Sequence, residues 1–330
     1  MTRREFLFAS GAAVIPALAA GCIGSRKWDR TAYRKPARSR VAVLPAGSYD
    51  RPLADVVRRG IELFGPRVSG KTIVLKPNLV EYDPAGVINT HPEVIAAAIE
   101  AFRYLDAREV VVAEGPGHRR DTEYLLTASG FHPIFREYSA RYVDLNYDDV
   151  RATALRSRFT GLRSLYLPET ILRADLLVSM PKLKTHHWAG VTLSLKNMFG
   201  VVPGAVYGWP KNVLHWAGIN ESILDVNSSL SMPQFAIVDG IVGMEGNGPI
   251  QGDPRFCGVL VFGDDLAAVD ATAARLMGIE PPRITHLRIA DEFLGNVATE
   301  RIVQIGEPVE QYRQDFRVLE PFQRLRLLMG

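Results

Sequence analysis

Residues 71–115 contain the alternation that decides the fold, in the runs KTIVLKPN (71–78), HPEVIAAAIEAFRYL (91–105) and EVVVAEG (109–115). The first and last runs are short and rich in β-branched residues, whereas the middle run has a helical period. Strands separated by helices of about 10 to 15 residues indicate βαβ units and a parallel sheet. The sequence therefore predicts an α/β protein.

The same alternation continues on both sides of this segment. Helices are predicted at 52–65, 121–130, 265–278 and in part of 212–229. The further predicted strands are the runs RVAVLP, YVDLN, SLYLPE, DLLVSMPK, QFAIVDG, CGVLVFGD and RIVQIGE. We expect parallel or mixed sheets with flanking helices, arranged as two lobes around a central cleft.

The chain divides into four predicted segments. They are a Tat signal peptide with a lipobox at 1–22, a basic linker at 23–39, an α/β domain at 40–306 with lobes of about 40–160 and 161–306, and a tail at 307–330. The tail carries apolar residues at a spacing that predicts packing on the body of the protein, namely Phe316, Leu319, Phe322 and Leu325.

Composition limits the classes of protein that the chain can form. With 330 residues, of which 47% are hydrophobic, the chain can bury a large core. A net charge of +3, from 39 basic and 36 acidic residues, predicts no nucleic-acid partner by bulk electrostatics. Two cysteines cannot build a disulfide framework, a cysteine zinc site or an iron–sulfur cluster within one chain. Cys257 lies in the apolar run FCGVLVFG and is predicted to be a buried, inert thiol.

The N-terminus, MTRREFLFASGAAVIPALAAGC, has the features of an export signal. Arg3 and Arg4 precede a short apolar stretch that is too brief to span a bilayer, which is typical of a Tat signal. The stretch ends in Leu-Ala-Ala-Gly-Cys22, similar to a lipoprotein box in which Cys22 is lipidated. The alternative is cleavage after Ala17-Leu18-Ala19, an A-x-A site.

These features predict where the protein resides. We expect export by the Tat translocase and a lipid-anchored protein on the periplasmic or extracytoplasmic face of a membrane. The segment 26–40 carries seven basic residues against one aspartate and would favour anionic headgroups, although a solvated linker explains it nearly as well.

Unusual polar residues follow several of the predicted strands. Ligands of open parallel sheets bind beyond the carboxyl ends of the strands, where loop amides and helix N-termini converge. The ligand-binding candidates selected in this way, or from the segment 183–204, are Lys76, Asn78, Gly115, Gly117, Arg119, Lys182, Lys184, Trp188 and Asn197. Each position also has a structural interpretation, because GPG is itself a turn signal and loop histidines are often solvated.

The run LKTHHWAGVTLSLKNMFGVVPG, residues 183–204, carries the strongest chemical candidates. His186 offers an imidazole that can transfer protons near neutral pH, as does His118 in an upstream loop. Apolar neighbours would desolvate Lys196, which lowers the pKa of a lysine and makes it a base, a nucleophile or a covalent tether. The alternative is a lysine that extends from a helix to water.

A hard-cation site is a further interpretation. Residues 240–254, GIVGMEGNGPIQGDP, are predicted to form a long glycine-rich loop after a strand that ends in Asp239. Oxygen ligands from Asp239, Glu245 and Asp253 would suit Mg²⁺. Acidic residues in glycine loops also cap turns, which is the competing explanation.

The residues 174–204, together with VLKPN upstream and DGIVGMEGNGP downstream, resemble the DUF362 family over about residues 70–290. Members of this family are largely uncharacterised, and many carry an added ferredoxin-like cysteine cluster. This chain lacks those cysteines, so the resemblance does not imply an iron–sulfur cluster here.

A more distant resemblance is to the nickel-pincer lactate racemase (LarA-like) family. His118-Arg119, His186 with Lys196 ten residues later, and Pro203-Gly204 followed by His215 are similar to three motifs of that family. The resemblance implies that His118 and His186 are paired acid/base residues, that Lys196 holds a nickel-pincer-type nucleotide covalently, and that His215 binds the metal. The Gly-Gly-Arg that precedes the family's lysine is Leu193-Ser194-Leu195 here, which bears on the cofactor more than on the cleft.

Two functions follow from these observations. The first is an enzyme, racemase/epimerase-like or oxidoreductase-like, that acts on a small anionic organic acid by proton or hydride transfer. The second is a non-catalytic envelope protein that binds an anionic ligand through Lys76, Lys182, Lys184 and loop amides.

Overall fold

The computed structural model describes residues 27–29, 31–50, 52–117 and 121–326. Three predicted features lie outside these residues. They are the Tat signal, the lipobox with Cys22, and the His118-Arg119 pair.

A large mixed sheet forms the centre of the molecule. The strands of the described chain are β1 (Ser39–Pro45), β2 (Thr72–Pro77), β3 (Glu109–Glu114), β4 (Arg141–Asp144), β5 (Val150–Ala154), β6 (Ser164–Pro168), β7 (Leu176–Met180), β8 (Lys182–His186), β9 (Gly190–Thr192), β10 (Gln234–Asn247), β11 (Gln251–Gly263) and β12 (Ile302–Gly306). The main path of the sheet runs β12-β1-β11-β10-β7-β2-β3-β4, and β8 joins β10 and β9 beside it. β5 and β6 form a separate antiparallel pair.

Five neighbouring strands, β10, β7, β2, β3 and β4, are mutually parallel. Their carboxyl ends therefore meet at one edge of the sheet, as the alternation of strands and helices predicts. β11 runs antiparallel to both β10 and β1, and β12 runs parallel to β1.

Helices cover both faces of this sheet. They are α1 (Leu53–Glu62), α2 (Pro92–Tyr104), α3 (Thr122–Ala128), α4 (Phe131–Glu137), α5 (Glu169–Leu172), α6 (Ser194–Asn197), α7 (Gly204–Tyr207), α8 (Asn212–Trp216), α9 (Ile219–Ser229), α10 (Leu266–Leu276), α11 (Thr285–Ala290) and α12 (Val309–Tyr312). Short 3₁₀ turns occupy Met198–Val201, Pro281–Arg283, Thr299–Arg301 and Glu320–Leu325.

The period-two alternation of β2 shows how the two faces are filled. Val74 packs in one apolar cluster, while Ile73 and Leu75 pack in the cluster on the opposite face. All three side chains are fully buried. A strand buried on both faces reads as a continuous hydrophobic run, which is why IVL precedes the first polar residue of β2.

Local signals also explain the boundaries of α2. The His91 side chain accepts a hydrogen bond from the backbone N–H of Glu93, and Pro92 occupies the first turn, where its missing N–H costs nothing. The apolar residues that follow are buried, including Val94, Ile95 and Phe102.

The model confirms the predicted α/β class, with a mixed sheet and flanking helices. Strands from both predicted lobes lie in the same sheet, and the lobe boundary at 160/161 stays a prediction. In the tail, Phe316 and Leu325 are buried in a core cluster that the domain also contributes to.

The prediction of a glycine-rich loop at 240–254 is wrong. These residues belong to a long hairpin in which β10 and β11 pair from Ala236 to Asn247, with a turn at 248–250. Its glycines suggested a loop, but several are needed for close packing within the sheet. A side chain on Gly243 would approach the carbonyl oxygen of Leu183 to 2.6 Å. Cys257 is buried in β11, where burial raises the pKa of its thiol to about 12.

Candidate functional site

A cavity of about 280 Å³ opens at the carboxyl edge of the parallel strands. Most of the candidates chosen from the sequence line it, although they come from distant parts of the chain. Those that line it are Lys76, Asn78, Gly115, Gly117, Lys184, His186, Trp188, Lys196, Asn197 and His215. His118 and Arg119, which follow Gly117, lie outside the described residues.

A buried ion pair forms one wall of the cavity. Lys76 Nζ lies 2.7 Å from Glu114 Oε2 and 3.2 Å from Asn197 Oδ1. Glu114, the last residue of β3, also accepts hydrogen bonds from the backbone N–H groups of Leu79 and Gly115. Burial lowers the pKa of Lys76, and the charge of Glu114 opposes that shift.

Two buried polar atoms in the wall have no partner among the described residues. Asn197 Oδ1 accepts from Lys76, so Asn78 turns its Nδ2 group towards it at 3.2 Å. This orientation leaves Asn78 Oδ1 without a hydrogen bond, and Thr192 Oγ1 is in the same position. Both residues line the cavity. Both atoms are enclosed, and a buried polar atom without a partner costs about 1–3 kcal/mol.

The short helix α6 presents Lys196 to the cavity. Asp270 of α10 accepts hydrogen bonds from the backbone N–H groups of Ser194 and Leu195, at 2.6 and 2.8 Å. Burial raises the pKa of this carboxyl to about 7, and those two N–H groups oppose the shift. Asp270 thus fixes the first turn of α6 at the sheet edge.

The Lys196 ammonium group is the most available cation of the site. Nζ lies 5.1 Å from the centroid of the Phe199 ring, and no side chain or carbonyl of the described chain forms a hydrogen bond with it. The side chain is half-buried. Burial and the nearby charge of Lys76 lower its pKa to about 8, against the opposing charge of Glu114. Lys196 is therefore desolvated. A lysine that extended into water would have kept a pKa near its ordinary value.

His186 is buried at the end of β8. Its Nδ1 atom accepts hydrogen bonds from the backbone N–H groups of Trp188 and Ala189, at 3.0 and 3.2 Å. Burial, followed by the charges of Lys196 and other neighbouring cations, lowers the pKa of His186 well below its usual value. The imidazole is therefore neutral near pH 7.

His215, on α8, has its Nδ1 atom next to an acceptor, whereas Nδ1 of His186 faces two donors. Its Nδ1 atom lies 3.2 Å from the carbonyl oxygen of Lys211. A carbonyl oxygen can only accept, so Nδ1 carries the proton of the neutral ring and Nε2 keeps a free electron pair. The ring is half-buried between Phe199 and Trp188, with centroid distances of 4.9 and 5.4 Å. Burial, then the charge of Lys196, lowers its pKa.

Sequence reasoning missed Lys211, which is buried in the cavity wall. Its Nζ atom donates to the carbonyl oxygens of Gly115 and Gly200, at 2.6 and 3.0 Å. Its backbone has φ of 68°, a left-handed conformation that costs energy for a residue other than glycine. Burial lowers its pKa to about 7. Nothing in the sequence around Lys211 signals this conformation. Glu114, in contrast, ends a strand, and the rule that selected Lys76 at the end of β2 could also have selected it.

The tip of the long hairpin closes another side. Lys184 Nζ donates to the carbonyl oxygens of Ile88 and Pro249, at 2.7 and 3.2 Å. The backbone N–H of His187 donates to the carbonyl oxygen of Gly248 at 2.9 Å. The turn of the hairpin is thereby held against β8, and Trp188 remains exposed at the mouth.

Four selected residues lie elsewhere, namely Lys182, Asp239, Glu245 and Asp253. Lys182 forms a buried pair with Asp239, with Nζ and Oδ2 separated by 2.7 Å, outside the cavity lining. Glu245 pairs with Arg317, which also contacts Asp253. The three acidic residues of the predicted cation site thus take part in three ion pairs within the protein, and the cation site itself stays a prediction. No cluster of three histidine, cysteine or acidic residues suited to a metal occurs among the residues that the model describes.

Two solved structures are similar to this chain at low sequence identity. The lactate racemase apoprotein of Thermoanaerobacterium thermosaccharolyticum is 14% identical, with a TM-score of 0.44 over 79% of this chain and 58% of that one. A protein of Thermotoga maritima is 9% identical, with a TM-score of 0.37 over 76% of this chain and 61% of that one. The chain thus spans less than two thirds of either structure.

The sequence comparisons are more informative about the family. A thylakoid-associated protein of Synechocystis sp. is 26% identical over 261 residues, which cover 76% of this chain and 77% of the relative. The profile of DUF362, described as a domain of unknown function, matches residues 73–275. That match spans more than half of the chain and includes the strands and helices that build the cavity. The chain therefore belongs to the DUF362 family.

Proposed function

We propose that this protein is an enzyme that acts on a small anionic organic acid by proton or hydride transfer in the cavity. The main support for the proposal is that Lys196 and His215 line the same cavity. One presents a cation without a described hydrogen-bond partner, and the other presents a free electron pair. An electrostatic anchor next to a proton acceptor is the minimum that such chemistry requires.

The charge of the lining supports an anionic ligand. Lys76, Lys184, Lys196 and Lys211 line the described cavity, whereas Glu114 is its single carboxylate. Because desolvation disfavours uncompensated ammonium groups, a carboxylate ligand would restore the balance of charge.

The free electron pair of His215 restricts the ligand further. A hydroxyl group of the ligand can donate its single proton to His215 Nε2, and a carboxylate can pair with Lys196. An organic acid that carries a hydroxyl group meets both demands.

The roles of the chain's own residues follow from their atoms. Lys196 neutralises the carboxylate of the ligand and orients it in the cavity. His215 Nε2 accepts the proton of the hydroxyl group, so that the O–H bond breaks while an N–H bond forms. The lowered pKa of His215 keeps its ring neutral, and therefore able to accept a proton, at neutral pH.

The nickel-pincer nucleotide implied by the distant resemblance places two demands on the chain. It needs an amine for attachment and an imidazole for the metal. Lys196 and His215 are lining residues that carry those groups, but each would then give up the role described above, because a tethered amine no longer pairs with the ligand and a metal-bound Nε2 accepts no proton. When bound, that cofactor accepts the hydride of a 2-hydroxy acid. The residues before Lys196 differ from the family's Gly-Gly-Arg. Leu193 and Leu195 occupy this segment, and both are buried in the core.

A test with glycolate and the two enantiomers of lactate separates the reaction types. Racemisation without deuterium uptake in D₂O indicates hydride return, and deuterium at the α-carbon indicates proton transfer. We expect Lys196→Met and His215→Gln to abolish turnover, and Lys71→Met, outside the cavity, to leave it unchanged. Absence of turnover with a panel of hydroxy acids by protein purified from its native host, with its bound metals and chromophores measured, would contradict the proposal.

The second candidate is an envelope protein that only binds an anion, which the four lysines of the lining also favour. Calorimetry with glycolate and acetate at low and high salt tests it. A binder requires Lys196 but tolerates His215→Gln in full, whereas an enzyme loses turnover in that variant while keeping most of its binding.

We further propose that the Tat translocase exports the chain and that lipidated Cys22 anchors it to the outer face of the membrane. The support is the sequence of residues 1–22. No helix within the described residues combines the length and the apolarity that a bilayer crossing requires. Replacing Arg3 and Arg4 by lysine should retain the protein in the cytoplasm, and Cys22→Ser should release it from the membrane fraction. A Cys22→Ser protein that stays membrane-bound after a salt wash would overturn the lipid anchor.

A further inference from the structure

We infer that His186 binds the ligand as a fixed hydrogen-bond donor through Nε2–H, directed to a ligand oxygen that carries no proton, and that it is not a proton acceptor. This inference deepens the proposed function, on which the identity of the ligand rests. The donor itself is set by the protein's own hydrogen bonds. It also revises the acid/base role that the sequence resemblance implies for His186.

The first step concerns Nδ1. The backbone N–H groups of Trp188 and Ala189 both point at this atom, at 3.0 and 3.2 Å. Both groups can only donate, so Nδ1 must be the unprotonated nitrogen of the ring. A neutral imidazole then carries its hydrogen on Nε2.

The second step concerns Nε2. His186 is buried and lines the cavity. Its Nε2 atom forms no hydrogen bond with any residue in the described ranges, and it is not among the fully enclosed polar atoms. The donor therefore has accessible space, and the cavity is the space that the residue lines.

The third step concerns the charged neighbours. The titratable groups that face His186 are Lys184, Lys196, His187 and His215, all of which disfavour a positive charge on its ring. Protonation of Nδ1 would also break two hydrogen bonds from backbone groups that have only this acceptor in the turn. The geometry and the charges thus favour the same neutral form.

Two of the three described imidazoles that line the cavity, those of His186 and His215, therefore have complementary roles. His215 keeps a free electron pair on Nε2 because its Nδ1 faces the carbonyl oxygen of Lys211. His186 has a hydrogen at Nε2 because its Nδ1 faces two amides. Such a pair reads a ligand in one orientation, with its hydroxyl group towards His215 and a carboxylate or carbonyl oxygen towards His186.

Nitrogen NMR of the full chain, labelled with ¹⁵N-histidine, tests the donor without reference to activity. We expect the His186 signals to show the Nε2–H tautomer from pH 6 to pH 8, with assignment from the His186→Gln variant. An Nδ1–H tautomer, or ionisation of this ring between pH 6 and pH 8, would overturn the inference.

Two variants test the role in binding, with glycolate as the probe in calorimetry. His186→Gln keeps an N–H donor at a similar distance from the backbone but cannot accept a proton, and we expect its Kd to stay within about threefold of the wild type. His186→Phe removes the donor and should weaken binding about tenfold, the usual effect of a lost hydrogen bond to a charged group. Thermal unfolding verifies that both variants fold. Equal weakening in both variants contradicts the donor role.

Turnover separates this inference from the proposed function. If His186 were a general base, His186→Gln would lower kcat by about 10²–10⁴-fold, whereas a donor role predicts a much smaller change. Should the wild type turn over no hydroxy acid while the NMR signals show Nε2–H, the proposed enzyme is refuted and the donor stands. Turnover by a protein whose His186 titrates near pH 7 would refute the donor and support the enzyme.

Discussion

The Lys76–Glu114 and Lys182–Asp239 pairs have the same nitrogen–oxygen distance of 2.7 Å, and both are buried at the carboxyl edge of the sheet. Their covers differ. The ring of Tyr49 lies over Lys182, with a distance of 5.4 Å from Nζ to the ring centroid, and its hydroxyl group bonds to both partners of that pair. No aromatic ring of the described residues is stacked on Lys76–Glu114 in this way. Asn197 accepts from Lys76 Nζ at 3.2 Å, and Gly200 packs so closely that an added Cβ would lie 2.4 Å from Glu114 Oε1.

The two pairs are equally buried, with side-chain exposures of 2% or less, so their surroundings distinguish them. Asp239 also accepts the backbone N–H of His91, whose ring stacks on Tyr49 at a centroid distance of 3.8 Å. The Lys182 pair is therefore enclosed by aromatic rings, although a smaller cavity of about 180 Å³ lies beside it. Both members of the Lys76 pair line the larger cavity and adjoin the unpartnered amide oxygen of Asn78. Burial of a charge is thus common to both pairs, and position in the larger cavity distinguishes the Lys76 pair.

The largest expected effect concerns the enclosed pair. Lys182→Met leaves Asp239 buried without its cation and should lower the free energy of unfolding by about 3–5 kcal/mol. The measurement is urea denaturation of the full chain. The double variant Lys182→Met/Asp239→Asn removes both charges and should recover part of that loss. A single variant as stable as the wild type would show that this pair is not structural.

The next effect concerns Gly200, which packs against Lys76 and Glu114. Gly200→Ala should force Lys76 and Glu114 apart, because the new Cβ would lie 2.6 Å from Nζ. We expect about 1–3 kcal/mol of destabilisation together with weaker glycolate binding. Gly47→Ala is the matched control, since an added Cβ there meets nothing within 4 Å. Equal behaviour of the two alanine variants would remove the distinction between the pairs.

A smaller effect depends on pH. The folded protein releases the Lys196 proton near pH 8, whereas the ordinary pKa is 10.5. Anion binding should therefore weaken above pH 8, by up to about tenfold per pH unit. Stability should change in the opposite direction, because between pH 8 and 10.5 the unfolded chain holds more protons and stability rises with pH.

Lys196→Met provides the control for this titration. It should remove the pH dependence of binding above pH 8 and flatten the difference in stability between pH 8 and 10. Calorimetry and urea denaturation at several pH values measure the two quantities. A variant with the same pH profile as the wild type would assign the titration to another group.

The smallest effect concerns Thr192. Its hydroxyl group is buried and has no described partner, so Thr192→Val should leave the free energy of unfolding unchanged within about 1 kcal/mol. Glycolate binding should weaken several-fold if the hydroxyl group meets the ligand. The matched measurement with acetate, which lacks a hydroxyl group, should show less change. A marked loss of stability would instead reveal a structural hydrogen bond.

The sequence was sufficient for the fold where patterning is local. The runs around β2, α2 and β3 have unambiguous periods, and the rule that ligands bind at strand ends selected Lys76 and Lys184. The same rule selected Lys182, which lies two residues before Lys184 in β8. Strand alternation places both lysines on one side, and only the folded chain shows that Lys182 pairs with Asp239 outside the cavity lining.

Other parts of the site depend on contacts that the sequence does not display. Lys211 reaches the cavity because its left-handed backbone turns the chain after Pro210, and Asp270 fixes α6 from a helix 75 residues away. The tautomers of His186 and His215 are set by backbone groups whose positions only the folded chain defines. The glycines of 240–254 suggested a loop because close packing and turns select the same residue.

The segment from Met198 to Trp216 closes one side of the cavity with a 3₁₀ turn and two short helices, and it contains no strand of the sheet. Residues can therefore be inserted or removed there without shifting the register of any strand. This segment is a natural place to redesign the size of the accepted molecule, provided that Lys211 still reaches the carbonyl oxygens of Gly115 and Gly200. Libraries that vary its length, and keep the sheet constant, would be expected to yield binders of longer acids.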